Sequence, residues 1–480
     1  MNGARNYAAS ESGFSSRQQT LAQLQRLVAF PSISTDPRYA GAVRSCAAWL
    51  ANHLQTIGLA GVRIFETPRH PIVFAEYRAG PALPTLLVYG HYDVQPVAPA
   101  AAWTVPPFGG IIRGNRLFGR GASDDKGQFF THFKALEILL QTGRALPLNV
   151  KVLLEGEEEI GSPNLGAFIR QHRQLLGADW AVLSDTNLIS ADQPSLTYGL
   201  RGSLSAELEV SGPKAELHSG IFGGAVLNPI QALCDLLASL HARHGRIAIA
   251  GFYDAVQAPI NSELAYLARH APADAQLLRE AQVGQGWGET GFSLYERTTL
   301  RPSLSITGIS GGYQGPGTKS VIPPKASAKL SFRLAQGQDP HAVEQLLRKH
   351  LAHHTPPQVR ARLTAQLHAR PYTIDPQHLA MQAAARAYAQ GFGRQPVMQR
   401  SGGTIPVVTL FEEVLGIPTV LMGFGLPDDH KHGPDEFLWL PNFWRGIKTS
   451  LAFMRELGAS AFYPTVPVML SAVEVSLTRR

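Results

Sequence analysis

Residues 85–93 read TLLVYGHYD. Five residues with no alternation of polar and apolar are followed at once by a glycine, a histidine and an aspartate. An unbroken apolar run of this length is how a strand covered on both faces is written, since neither side of it meets water. Residues 149–154 (NVKVLL), 180–183 (WAVL) and 419–422 (TVLM) repeat the pattern. Between the first two runs, residues 127–141 place Phe130, Phe133, Leu136 and Leu140 at helical spacing. Asp124 or Asp125 is expected to cap that helix and Gly143 to end it. Another helix is expected over 18–30, from Leu21, Leu24, Leu27 and Val28, with Pro31 as its stop. Strands of this kind separated by helices predict an α/β domain with a central, mostly parallel sheet flanked by helices.

The middle of the chain follows a different rule. Leu204, Ala206, Leu208 and Val210 alternate with polar residues, as do Ala326, Ala328, Leu330, Phe332 and Leu334. Val359, Ala361, Leu363, Ala365 and Leu367 do the same. Period two predicts strands with one wet face. Asn228-Pro229 and Asp339-Pro340 each read as a helix cap followed by a first-turn proline. With a strand at 304–306, residues 202–370 spell β-α-β-β-α-β, the ferredoxin-like split βαβ, with a helical excursion near 253–282. The expected organisation is a catalytic domain in two parts, 1–201 and 373–480, interrupted by an α+β lid over 202–372.

Composition narrows the class. At ~150 residues per domain, 480 residues suggest two large domains or three ordinary ones. Apolar residues at 44% against 16% charged give a globular balance, and 46 glycines with 34 prolines imply many loops. No apolar run approaches the ~18 residues of a membrane helix. Residues 1–17 lack the apolar stretch of a signal peptide, so a cytoplasmic protein is expected. Two cysteines, Cys46 and Cys234, form neither a disulfide framework nor a Cys-x-x-Cys site, so any metal must be held by histidine and carboxylate. A net charge of +7 without a basic block gives no sign of a nucleic-acid partner.

Five polar clusters stand where the buried strands end or the capped helix begins: 91–93 (HYD), 123–127 (SDDKG), 157–162 (EEEIGS), 184–185 (SD) and 430–436 (HKHGPDE). Singly, each has a plain account as a strand-end histidine, a helix cap, a solvated charge run or a turn. Jointly they converge, because ligands of open parallel sheets bind beyond the carboxyl ends of the strands. Histidines with several carboxylates suit a pair of divalent ions, zinc among them. One aspartate offers two oxygens and bridges two ions ~3.5–4 Å apart. A further carboxylate is needed to move the proton of the attacking water. The glutamate triplet supplies both a ligand and that base, and spacing alone does not choose among Glu157, Glu158 and Glu159. Asp93 is placed to orient the imidazole of His91.

The motifs GHYDVQP (90–96), GASDDKG (121–127), EGEEEIGS (155–162), LSD (183–185), ELHSGIFGG (216–224), RSGGTIPV (400–407) and HGPDE (432–436) occur in this order. In them the chain resembles the co-catalytic zinc exopeptidases. That family includes the carnosine and non-specific dipeptidases, aminoacylase, glutamate carboxypeptidases and succinyl-diaminopimelate desuccinylase. The dipeptidase branch is the most similar, although Ser123 replaces its usual threonine and Glu157 is unusual in its slot, where it adds negative potential. The resemblance implies that His91 and Asp185 hold one metal, Glu159 and His432 the other, and Asp124 bridges. It implies Glu158 as general base, His432 rather than His430 as ligand, and a non-proline cis peptide after Asp124. It implies that His218 reaches a neighbouring subunit's site, and that Arg333 grips a substrate carboxylate with Thr404 and Gly403. Ser320 and His368 are its weaker substrate contacts. Two divalent ions per subunit are implied, Zn2+ first, with Mn2+ or Co2+ as alternatives. The implied assembly is a homodimer through the lid, acting on small peptides or acylated amino acids.

Other readings compete. Residues 308–312 (GISGG) match G-x-S-x-G, but a loop-forming YQGPG follows where a nucleophile elbow needs a helix. Residues 286–291 (GWGETG) match G-x-G-x-x-G but follow a helical segment, not a strand. A non-catalytic binding protein on this fold would be expected to lack a ligand or the base. Within enzymes, the alternative is an N-acyl or N-carbamoyl amino-acid amidohydrolase.

Overall fold

The strand read from 85–93 runs over Thr85–His91 in a computed structural model that describes residues 16–142 and 146–462. The expectations placed on residues 1–15, Gly143 and the tail beyond 462 lie outside the described residues. The chain divides into two units. One comprises Met1–Tyr198, Ile374–Met398 and Leu410–Arg480; the other comprises Gly199–Thr373 and Gln399–Thr409.

In the first unit the sheet runs Ala60–Phe65, Ile72–Tyr77, Asn149–Glu155, Thr85–His91, Trp180–Leu183, Thr419–Leu421 and then the strand that begins at Ser195. The four apolar runs form its parallel centre. Antiparallel strands flank them. Trp180–Leu183 and Thr419–Leu421 are buried throughout, as their composition demands. The helix Lys126–Gln141 carries more than the expected stripe: Phe129, Ala135 and Leu139 are buried as well as Phe130, Phe133 and Leu136. It lies under the helix Leu440–Phe462, which also packs on Leu379–Phe392. Each large side chain so buried contributes about 1.5–3 kcal/mol.

Two glycines set how closely this helix approaches the sheet. A Cβ on Gly90 would stand 2.7 Å from Phe129, and one on Gly127 would stand 2.0 Å from the carbonyl oxygen of Ala122. The expected side-chain cap is not made. Asp125 is the N-cap residue, but no side-chain cap hydrogen bond forms, and its carbonyl takes the first-turn amides of Gln128 and Phe129 instead.

The second unit is a four-stranded antiparallel sheet in the order Ser303–Gly311, Lys325–Leu334, Gly202–Ser211, Arg360–Ala369. This is the ferredoxin-like order. Helices Pro229–Ser239 and Pro340–His354 cover one face, where Leu204, Leu208 and Phe332 meet Leu233, Leu236, Leu347 and Leu351. Asn228 and Asp339 cap these helices through their side chains, each at 2.9 Å. The excursion contains the helices Asn261–His270, Asp274–Glu280 and Leu294–Thr299. The GISGG match falls within the strand Ser303–Gly311 and runs to the glycine after it, so no elbow exists there.

The units differ from the expected bounds by a few residues at each junction, Gly199 to Arg201 and Thr373 joining the inserted unit, and by one longer segment. Residues Gln399–Thr409, expected with the second catalytic part 373–480, cluster with the inserted unit. Arg201 explains why: its guanidinium donates to the carbonyls of Gly402 and Arg301, and the Tyr295 hydroxyl donates to the carbonyl of Arg400. Periodicity carries no trace of such bonds.

Candidate metal centre

His91 ends its strand fully buried, and Asp124 and Asp185 come to it. His91 Nε2 lies 3.1 Å from Asp124 Oδ1 and 3.8 Å from Asp185 Oδ2. On the other side, His432 Nε2 lies 3.0 Å from Asp124 Oδ2 and 3.3 Å from Glu159 Oε2. Asp124 therefore gives one oxygen to each of two donor sets, His91–Asp124–Asp185 and Asp124–Glu159–His432. Nitrogen–oxygen separations of this size fit ions held by bonds of ~2.0–2.2 Å in tetrahedral fashion. The residues present thus fit a pair of borderline divalent cations.

The loops that carry these atoms are pinned. The carboxylate of Glu436 accepts the amides of Gly121, Ser123 and Asp124 at 2.9–3.0 Å and is paired with Arg120 at 2.7 Å. It ties the loop of Asp124 to the loop of His432. The Ser123 hydroxyl donates to Asp429, the residue just before that second loop. The Asp124–Asp125 peptide is cis, as the resemblance implied. His430, His432 and Asp435 all adopt positive φ, between 54° and 61°. Such backbone costs on the order of 1–3 kcal/mol per residue and persists where the surroundings over-determine it.

Asp93 acts more widely than expected. Its carbonyl, at 3.2 Å, is nearer to His91 Nδ1 than its carboxylate, at 3.5 Å. The carboxylate instead accepts the amides of Glu158 and Glu159, each at 3.1 Å, and so aims the glutamate turn. Glu157 is not a solvated charge. It is buried, and its oxygens accept from Thr67, the amide of His70, and Asn164.

Charge is concentrated here. Burial, together with Asp185, Glu159 and Asp124, raises Glu158 well above the ordinary carboxylate range. Burial opposes protonation of His91, but Asp124, Asp185 and Asp93 outweigh it and raise that imidazole well above its usual value. Asp124 and Glu159 push His432 up to about 10. A nearby dication inverts this logic and favours the deprotonated forms.

The remaining candidates lie in the inserted unit. Arg333 Nη1 donates to Thr404 Oγ1 at 2.8 Å, and Thr404 donates to the carbonyl of Arg201 at 2.7 Å. Gly403 follows Gly402 on the same segment and takes the Arg201 amide at 3.2 Å. His218 is exposed, and its Nδ1 accepts the amide of Gly220 at 2.9 Å. Ser320 backs this turn by accepting the amide of Ser219 at 3.1 Å. His368 departs from the others. In register it stands beside Leu204 and Phe332 on the helix-covered face, whereas Arg333 and Ser203 point to the opposite one. It pairs with Glu344 at 2.6 Å and stacks on His341, so the structure does not bring it to Arg333.

Sequence reasoning passed over Glu436 and Lys431. Both stand in the 430–436 cluster, where chemistry-bearing residue types beside a candidate ligand were the available signal. Gln95, which donates to Glu159 Oε2 at 2.8 Å, gave no signal beyond its place in GHYDVQP.

The sequence model of "Peptidase family M20/M25/M40" matches residues 87–456. The chain is 32% identical to the Cys-Gly metallodipeptidase dug1 of Schizosaccharomyces pombe, over 92% of this chain and 96% of the relative. It is 31% identical to the Beta-Ala-His dipeptidase of Homo sapiens, over 89% and 87% of the two chains. Among solved structures, an M20 family metallo-carboxypeptidase, Sso-CP2 from Sulfolobus solfataricus, superposes with a TM-score of 0.84 at 30% identity. That match covers 92% of this chain and 99% of the other.

Proposed function

Since the chain belongs to peptidase family M20/M25/M40, we propose that it is a metal-dependent dipeptidase, cleaving dipeptides or short peptides that end in a free carboxylate. The observation that carries this reading is the division of Asp124 between two donor sets, with Glu158 beside both. Two divalent ions, Zn2+ by the nitrogen and oxygen donor set, with Mn2+ or Co2+ as substitutes, would supply Lewis-acid polarisation of the scissile carbonyl and a water of lowered pKa. His91, Asp124 and Asp185 would hold one ion, and Asp124, Glu159 and His432 the other.

Glu158 takes the proton of the attacking water and returns it to the departing amine. Asp93 holds Glu158 and Glu159 in place through their amides. Arg333 and Thr404, with Gly403 beside them, bind the substrate carboxylate; a guanidinium forks onto such a group in two parallel bonds. His218 donates to the oxygen that becomes negative at the tetrahedral stage. Its Nδ1 accepts an amide, which puts the neutral ring's proton on Nε2, the nitrogen that must donate.

A homodimer through the inserted unit is part of this reading. Supporting it, Ser303–Gly311 is an edge strand with Ile306 and Ile309 exposed, and Ile221 and Phe222 are exposed beside His218. No helix among the described residues is long and apolar enough to cross a membrane. The proposed compartment is the cytoplasm, in keeping with two free cysteines.

A substrate panel tests the activity. Free-acid dipeptides are expected to be cleaved, and amidated ones to lose about 1.5–3 kcal/mol of transition-state binding. Chelation should abolish turnover. Cleavage confined to N-acetyl, N-succinyl or N-carbamoyl amino acids would establish the amidohydrolase alternative instead.

A further inference from the structure

Lys431 precedes the ligand His432, and its ammonium lies 2.9 Å from Asp185 Oδ1. Asp185 thus divides its own two oxygens: Oδ2 is the one near His91 Nε2, and Oδ1 is taken by a cation. The lysine side chain is only 20% exposed, and Asp185, Asp124 and Asp429 surround it with negative charge. The other donor set has a different outer partner. Glu159 receives the neutral amide of Gln95 at 2.8 Å. The two halves of the centre are therefore unequal in charge, although each presents one histidine, one private carboxylate and a share of Asp124.

We propose that Lys431 is a positioning residue that restricts Asp185 to one oxygen toward the ion shared with His91 and places a positive charge beside that ion. The inference rests on the binuclear reading and adds an asymmetry to it. A carboxylate already hydrogen-bonded to an ammonium is a poorer donor, and like charges repel across a few ångströms. Both effects loosen one ion relative to the other. Both also leave that ion more electron-poor, hence the stronger polariser of a carbonyl.

The test reads metal affinity, not activity. The metal-free full-length chain is titrated with Zn2+ in competition with a chelating dye, and two dissociation constants are resolved. The unaltered chain is expected to bind two ions, one more weakly. In Lys431→Met the weaker constant should tighten about tenfold or more, because the ammonium and its hold on Asp185 both vanish. The tighter constant should move less, since Lys431 reaches that ion only through the shared Asp124. Lys431→Gln should shift in the same direction, which keeps the test decisive if the methionine variant does not fold by circular dichroism. Lys431→Arg, which keeps the charge, should stay near the unaltered chain. A merely structural lysine would weaken binding when replaced. Weaker or unchanged constants in the folded neutral variants overturn the proposal. An unaltered chain that binds fewer than two ions overturns the binuclear reading itself, and that is seen before any variant is made.

Discussion

Glu158 stands among four charged neighbours, His91, Asp185, Glu159 and Asp124, yet it belongs to neither donor set. That position suits a proton carrier. Glu158→Gln should retain both ions and lose about 10²–10⁴-fold in kcat, the usual worth of general acid–base catalysis. Glu159→Gln should lose metal instead. Metal content measured beside kcat separates the two, and normal turnover in Glu158→Gln would contradict the assignment. A second residue predicts how stability responds to acid. His53 is buried and stacked on Trp49 at 5.1 Å, and burial, aided by Lys134, holds its pKa down to about 4. The unfolded chain, with histidine near 6.5, binds this proton more readily than the folded one. Stability therefore rises with pH and is lost as pH falls through 6.5 toward 4. At pH 5 the loss attributable to His53 is about 2 kcal/mol relative to neutral pH. Its Nε2 has no hydrogen-bond partner, so His53→Phe leaves no bond of that nitrogen unmade. Denaturant titrations at pH 7 and pH 5 should show a smaller acid loss in the phenylalanine variant; equal losses would remove His53 from the account.

The helix Lys126–Gln141 brings Asp124 to His91 only because it lies close to the sheet, and two glycines permit that. Gly127→Ala would drive a Cβ to 2.0 Å from the Ala122 carbonyl and 2.7 Å from Leu438. It should cost at least the ~1–3 kcal/mol of an overpacked core and weaken metal binding as well, since the displaced turn carries Asp124. Gly41, in the helix Ala40–Thr56, has nothing within 4 Å of its added Cβ. Gly41→Ala should stabilise by about 0.4–1 kcal/mol and leave metal uptake unchanged. Thermal melts with metal analysis check both; an equal response would show that space at Gly127 is not the constraint. Elements such as this helix were legible in the sequence because burial writes itself as period and composition. The runs 85–89, 149–154, 180–183 and 419–422 became the parallel centre, and the polar clusters supply the two candidate donor sets. What stayed hidden depends on partners distant in the chain. Glu157 is a strut for Thr67, His70 and Asn164, and Gln399–Thr409 is drawn to the inserted unit by Arg201. No local pattern distinguishes a buried, satisfied glutamate from a solvated one.

At the scale of the whole molecule, the proposed metal ligands and Glu158 all fall in one unit, while His218, Arg333 and Thr404 fall in the other. Resemblance assigns His218 to the site of a partner subunit, and its exposed ring, with Nε2 as the donor nitrogen, is compatible with that duty. Removing such a donor costs ~10²–10³ in turnover. His218→Ala and Glu158→Gln should each be nearly inactive alone. When their subunits are allowed to exchange, the two arrangements give different results. If His218 acts in the partner, one site of a mixed dimer carries both defects and the other carries neither. About half the normal activity per mixed dimer then returns, by the two-fold symmetry of the pair. If it acts within its own chain, every site carries one defect and mixing restores nothing. Exchange is verified independently by mass-tagging one parent, so an unmixed sample is not mistaken for a negative. No recovery in verified mixed dimers would exclude action across the pair, and full activity of His218→Ala by itself would remove His218 from the chemistry.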